Sequence, residues 1–122
     1  MMNKIKLLLL MLLVSTSVSF AQDKYDTYCE LVESQQILTY KITVEIDFGQ
    51  PTKPVTYLCD EQGKKILFNS MIDVLNYMSK RGWKLVQTYT VTYSGNSSCR
   101  YILVKQIEKD EDITKGLYLK KK

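Results

Sequence analysis

No histidine occurs anywhere in the 122-residue chain. Its absence removes the commonest general base near neutral pH, the Ser–His and Cys–His nucleophile pairs, and the commonest metal ligand. Three cysteines remain, Cys29, Cys59 and Cys99. A thiol with no base beside it is a poor nucleophile, and a free cysteine usually packs as a small hydrophobe. Spacings of 30 and 40 residues have no zinc-site character, and a three-cysteine set needs a fourth ligand. In an oxidising compartment three pairings are open, each leaving one thiol over. A bridge requires Cα atoms within about 7 Å, which sequence alone does not supply.

The carboxylates offer little more. Glu45 and Asp47 lie two apart on one face of a strand, the spacing at which acid and base roles can be divided. Catalytic carboxylates need a perturbing pocket, however, and alternating charge on an open strand face serves solubility. Asp110-Glu111-Asp112 lacks the spaced oxygen ligands and turn glycine of a calcium loop. Lys120-Lys121-Lys122 reads as a hydrated terminus. The chain therefore presents no catalytic, metal or cofactor constellation, and the expectation is a protein that is not an enzyme. Its nine tyrosines are the remaining resource. They favour strands and bury area at low entropic cost, so Tyr89, Tyr93 and Tyr101, with Ile102 and Val104, form the candidate binding surface.

The elements that would position these residues begin after a leader. Lys4 and Lys6 precede an apolar run from Leu7 to Val14, and a small, polar exit ends Ser19-Phe20-Ala21. That is the order of a secretory signal, cleaved between Ala21 and Gln22. The run is too short for the roughly 20 residues that cross hydrocarbon, so no stable membrane span is expected after cleavage. The expected location is the periplasm or the exterior. Without Lys4 and Lys6, 15 basic side chains face 13 acidic ones. A charge this close to neutral argues against nucleic acid as a partner.

Residues 22–108 read as a single α+β domain followed by a charged tail, 109–122. Tyr25 to Val32 and Tyr40 to Phe48 alternate as strands joined by a hairpin connection over Glu33 to Thr39, the second strand with Ile42, Val44, Ile46 and Phe48 on one side. Val55 to Cys59 and Lys65 to Phe68 flank Asp60-Glu61-Gln62-Gly63, the residues of a type I turn with a bulge. The spacing of Met71, Val74, Leu75 and Met78 predicts a helix over 70–81, capped by Ser70 and stopped at Gly82. Trp83 is expected to wedge between helix and sheet. Lys84 to Tyr93 and Cys99 to Ile107 form the closing pair, the first with Leu85, Gln87, Tyr89, Val91 and Tyr93 on one face, and Tyr89, Tyr93 and Tyr101 are expected to cluster across the two. The order is thus β-β-(β-hairpin)-α-β-β, one helix on a mostly antiparallel sheet. Ile102 and Val104 give the last strand a second apolar face, expected to be covered by Ile113, Leu117 and Leu119 or by a second copy.

The run Asn69-Ser70-Met71-Ile72-Asp73-Val74-Leu75-Asn76-Tyr77-Met78, ending Gly82-Trp83-Lys84-Leu85-Val86-Gln87, resembles a family of small exported bacterial domains of unknown function with a helix-Gly-Trp-strand signature. Tyr28-Cys29-Glu30-Leu31-Val32 and Thr43-Val44-Glu45-Ile46-Asp47-Phe48-Gly49 are similar to its exported members. The resemblance implies this fold and carries no activity. Three functions are consistent with these readings: binding another macromolecule, such as a cell-envelope protein or a second copy; binding a glycan or small molecule through tyrosines; or acting as an inhibitor or immunity protein.

Overall fold

The computed structural model describes residues 23–51 and 55–121, with Lys4 alone upstream; the leader and its cleavage site at Ala21 and Gln22 lie outside the described residues. Among the described residues from 23 onward, six strands and one α-helix occur in the order β1 (Tyr25–Gln35), β2 (Ile42–Asp47), β3 (Thr56–Cys59), α1 (Met71–Ser79), β4 (Lys84–Tyr93), β5 (Asn96–Ile107) and β6 (Tyr118–Lys121). All pair antiparallel in one sheet, β4-β5-β1-β2-β3-β6. This is an α+β architecture, as the pattern predicted.

The helix is nine residues long, too short to hold itself together in water, so packing must stabilise it. The Ser70 hydroxyl accepts from the Asp73 N–H at 3.3 Å, and the Asp73 carboxylate accepts from the Asn69 N–H at 2.9 Å. At the other end the Gly82 N–H donates to the Ser79 carbonyl and the Trp83 N–H to the Met78 carbonyl. Those paired bonds need a left-handed residue at the helix exit, and Gly82 supplies it with φ 91°. The turn aims Trp83 back under the helix. Val74, Met78 and Trp83 then bury against Leu31, Val44, Leu58 and Leu103 of the sheet's inner face.

Two expectations need correction. Residues 65–68 do not form the second strand of a hairpin. The Asp60 turn is made as predicted, with the Gly63 N–H bonded to the Asp60 carbonyl and Gly63 at φ 81°. Beyond it the return arm bridges Cys59 through Lys65 and Ile42 through Phe68. β2 and β3 share only the Glu45–Tyr57 register pair and diverge, so the arm fills the gap between them.

The second correction concerns register. Lys84 and Leu85 oppose Val104 and Leu103, but the next pair is Gln87 with Ile102, leaving Val86 as a bulge. One extra residue exchanges the two faces of everything downstream. Leu85 therefore shares the inner face with Leu103, while Tyr89, Val91 and Tyr93 turn to the outer face with Ile102 and Arg100.

The segment beyond residue 108 also has structure. Asp110–Thr114 makes a 3-10 turn and β6 pairs with β3 through Leu58–Leu119 and Cys59–Tyr118. Ile113, Leu117 and Leu119 pack against the core on the helix side. They do not cover Ile102 and Val104, because those side chains leave the sheet on its other face.

Candidate interaction surface

Alternation and register together place the outer-face residues in rows across the sheet. Lys84, Val104 and Tyr28 form the first row; Gln87, Ile102, Glu30 and Asp47 the second; Tyr89, Arg100, Val32 and Glu45 the third. Val91 and Tyr93 continue the pattern towards the β4–β5 turn. Tyr28 is 54% exposed, Tyr93 81%, and Tyr89 and Val91 38% each. Ile102 and Val104 are half-buried beneath these neighbours.

One polar network orders the middle of this face. The Tyr89 hydroxyl donates to Glu30 Oε1 at 2.6 Å, and Arg100 Nε lies 3.9 Å from the same oxygen. The carboxylate beside Tyr89 raises its hydroxyl pKa, because ionisation would lose the bond and place two negative charges together. The network fixes the ring of Tyr89 at an exposed position. A groove of about 250 Å³ runs beside it, lined by Glu30, Val32, Glu45, Asp47 and Arg100.

Tyr101 is not part of this surface. Its place opposite Thr88 turns it to the inner face, where it packs on the core. The other four residues of the candidate surface, Tyr89, Tyr93, Ile102 and Val104, share the outer face, with Val104 at one end of the β4–β5 ladder and Tyr93 at the other. The bulge at Val86 brings Tyr89 and Tyr93 to the face of Ile102 and Val104, whereas Tyr101 lies inward through its pairing with Leu31 and its alternation with Ile102.

The sequence reading missed the end of the sheet. The chain leaves β1 through a loop in which Ile37 is 88% exposed, Leu38 is fully exposed and Tyr40 95%. Leu38 holds φ 68°, a left-handed conformation that costs a branched side chain free energy. The β4–β5 turn, Ser94 and Gly95, lies at this same end, because β5 runs antiparallel to β1. Neither the stretch from Gln35 to Tyr40 nor that from Leu85 to Cys99 contains a charged residue. The sequence marks this stretch as a connection, but only its lack of charge could have flagged its exposed side chains as part of a surface.

A basic cleft of about 830 Å³ lies at the opposite end, where β4 starts opposite Val104, three residues before β5 ends. Lys24, Lys80, Arg81, Lys84, Lys105 and Lys115 line it together with Asp26, Glu108 and Asp112. Two of these cations are engaged. Arg81 donates to the Tyr77 and Gly116 carbonyls at 2.8 Å each and stacks on the Tyr77 ring. Lys105 donates to the Asp112 carbonyl at 2.8 Å, and burial holds its pKa below the ordinary lysine value.

The paired carboxylates have local partners. Glu45 accepts from the Tyr57 hydroxyl at 3.3 Å, and Asp47 accepts from the Gly49 N–H at 2.9 Å, closing the turn after β2. Among the described residues no cluster of three or more metal-ligating side chains forms. No helix of the described residues is long and apolar enough to cross a membrane.

All three thiols are free. Cys29 lies in β1, Cys59 in β3 and Cys99 in β5, with β2 between the first two. Burial pushes the Cys29 thiol up to about 12 and raises Cys59 as well. Alkylation of the native protein near pH 8 should therefore modify half-buried Cys99 first, and reach Cys29 and Cys59 only after denaturant is added. Mass spectrometry of time points checks this; Cys29 modified as fast as Cys99 would contradict it. The same burial sets a pH dependence. A thiol that ionises near 9 when unfolded and near 12 when folded favours the native state below pH 9. That contribution is lost as the pH rises from 9 towards 12.

Comparison with models of known protein families and with curated protein sequences returned no match.

Proposed function

We propose that this chain is an exported, non-enzymatic domain that binds another macromolecule, a protein of the cell envelope, through the outer face of β4-β5-β1 and the apolar end of the sheet. One observation carries the reading. Tyr28, Tyr89, Val91 and Tyr93 are exposed on one face, and Ile37, Leu38 and Tyr40 stand almost fully in water at its end. Large apolar side chains gathered this way mark recognition surfaces rather than scattered surface residues. The tyrosines bring a polar tip and few rotatable bonds, which suits a protein contact. The exported location rests on the leader, and kinship with the helix-Gly-Trp-strand family rests on the residues quoted for it.

An inhibitor or immunity protein is one form this function can take. Glycan binding is the alternative for the same tyrosines, with Tyr28, Tyr89 and Tyr93 as its available rings. Capture from envelope extract tests the main reading. Tagged mature protein should retain a partner that the folded Leu38→Asp, Tyr93→Asp double variant loses. Equal retention by both proteins, or none by a demonstrably folded bait, would overturn it.

A further inference from the structure

We infer that the outer edge of β4 pairs with the β4 of a second copy, across a two-fold axis at Thr90, joining two sheets into one. The inference deepens the proposed binding function by naming one partner of the same apolar surface.

The two edges of the sheet differ in how they are guarded. β6 is four residues long and carries Lys120 and Lys121, features that discourage pairing with another chain. β4 is ten residues long and exposed along its whole length. It holds no proline and no charge after Lys84. Its bulge falls at Val86, leaving Gln87 to Tyr93 as a regular ladder. Such an edge offers a row of backbone donors and acceptors to any matching strand.

The ladder matches itself. With Thr90 on the axis, an antiparallel copy sets Thr88 opposite Thr92 and Thr90 opposite Thr90 on the inner face. Tyr89 falls opposite Val91, and Gln87 opposite Tyr93, on the outer face. Thr–Thr and aromatic–β-branched pairs are among the favourable cross-strand combinations. No like charges meet within the ladder. A two-fold contact requires one patch to complement itself in this way. The pairing also doubles the outer surface, because Tyr89, Val91 and Tyr93 of both copies meet about the axis.

Sedimentation or light scattering of the mature protein over a micromolar concentration series tests the inference. The mass should rise towards two chains. Thr90→Lys places two like charges at the axis and should return the mass to one chain, with cooperative thermal unfolding retained because Thr90 is exposed. Thr90→Glu should do the same alone. An equimolar mixture of the two variants should regain the doubled mass, which a merely damaged fold cannot do. A wild-type mass of one chain throughout, or a dimer indifferent to Thr90→Lys, would overturn the pairing, as would an unrelated extended segment recovered on β4. A monomer that still captures an envelope protein removes the pairing alone; a dimer that captures none removes the envelope partner alone.

Discussion

Replacing Trp83 by alanine is expected to cost about 3–5 kcal/mol of stability, the range seen when a large core aromatic is truncated. The ring is 1% exposed and lies among Met78, Val74 and Leu103, where sheet and helix meet. An indole in that position buries on the order of 200 Å². Domains of this size have only about 5–15 kcal/mol in total, so the variant should be marginal near body temperature. At roughly 4 °C or more per kcal/mol, its thermal midpoint should fall by about 12 °C or more. The indole Nε1 finds no hydrogen-bond acceptor among the described residues. Trp83→Phe therefore sacrifices volume but no hydrogen bond, and should recover most of the loss. Denaturant unfolding of both variants checks the pair. An alanine variant with an unchanged midpoint would show that the layer is held elsewhere.

Removal of residues 109–122 should abolish the soluble fold. Ile113, Leu117 and Leu119 leave the core together, and even half-burial of each contributes about 1 kcal/mol. Three further ties go with them: Asp110, which accepts from the Tyr25 hydroxyl, and the Asp112 and Gly116 carbonyls that hold Lys105 and Arg81. The loss also uncovers β3, whose four residues are all buried and would become an apolar, unpaired edge. Expression of residues 22–108 should give aggregated protein or a chain without cooperative unfolding. A soluble, cooperatively folding product would show that β6 is dispensable.

Sequence and structure agree where the physics is local. The helix was legible because its cap, apolar face and glycine stop all lie between Ser70 and Gly82. The Asp60 turn was legible because Gly63 supplies the positive φ its geometry requires. β2 was legible because Ile42, Val44 and Ile46 alternate with polar neighbours over a half-buried strand. The return arm 65–68 was not, since its partners are divided between Cys59 and Ile42, which lie far apart along the chain.

The candidate surface divides the same way. Tyr89, Tyr93, Ile102 and Val104 could be named from composition and strand period, but their grouping depends on one extra residue at Val86. No local signal marks that bulge, because valine is as much at home in a regular strand as in an interrupted one. Tyr101 faces inward by plain alternation with Ile102, and it is the bulge that carries Tyr89 and Tyr93 away from it. The connection after β1 was legible as a loop, but that Ile37, Leu38 and Tyr40 stand in water rather than fold back on the core depends on where the ladder ends.

By itself the sequence determined the class of fold, the helix and its stop, the wedge at Trp83 and the poverty of acid–base chemistry, because residue type and near-neighbour spacing decide each of these. Only the tertiary structure decided which tyrosines share a face, that the final residues close the sheet, and that β4 is left open. Register and strand order join residues far apart in the chain, and the free energy that selects them comes from burial of the whole core.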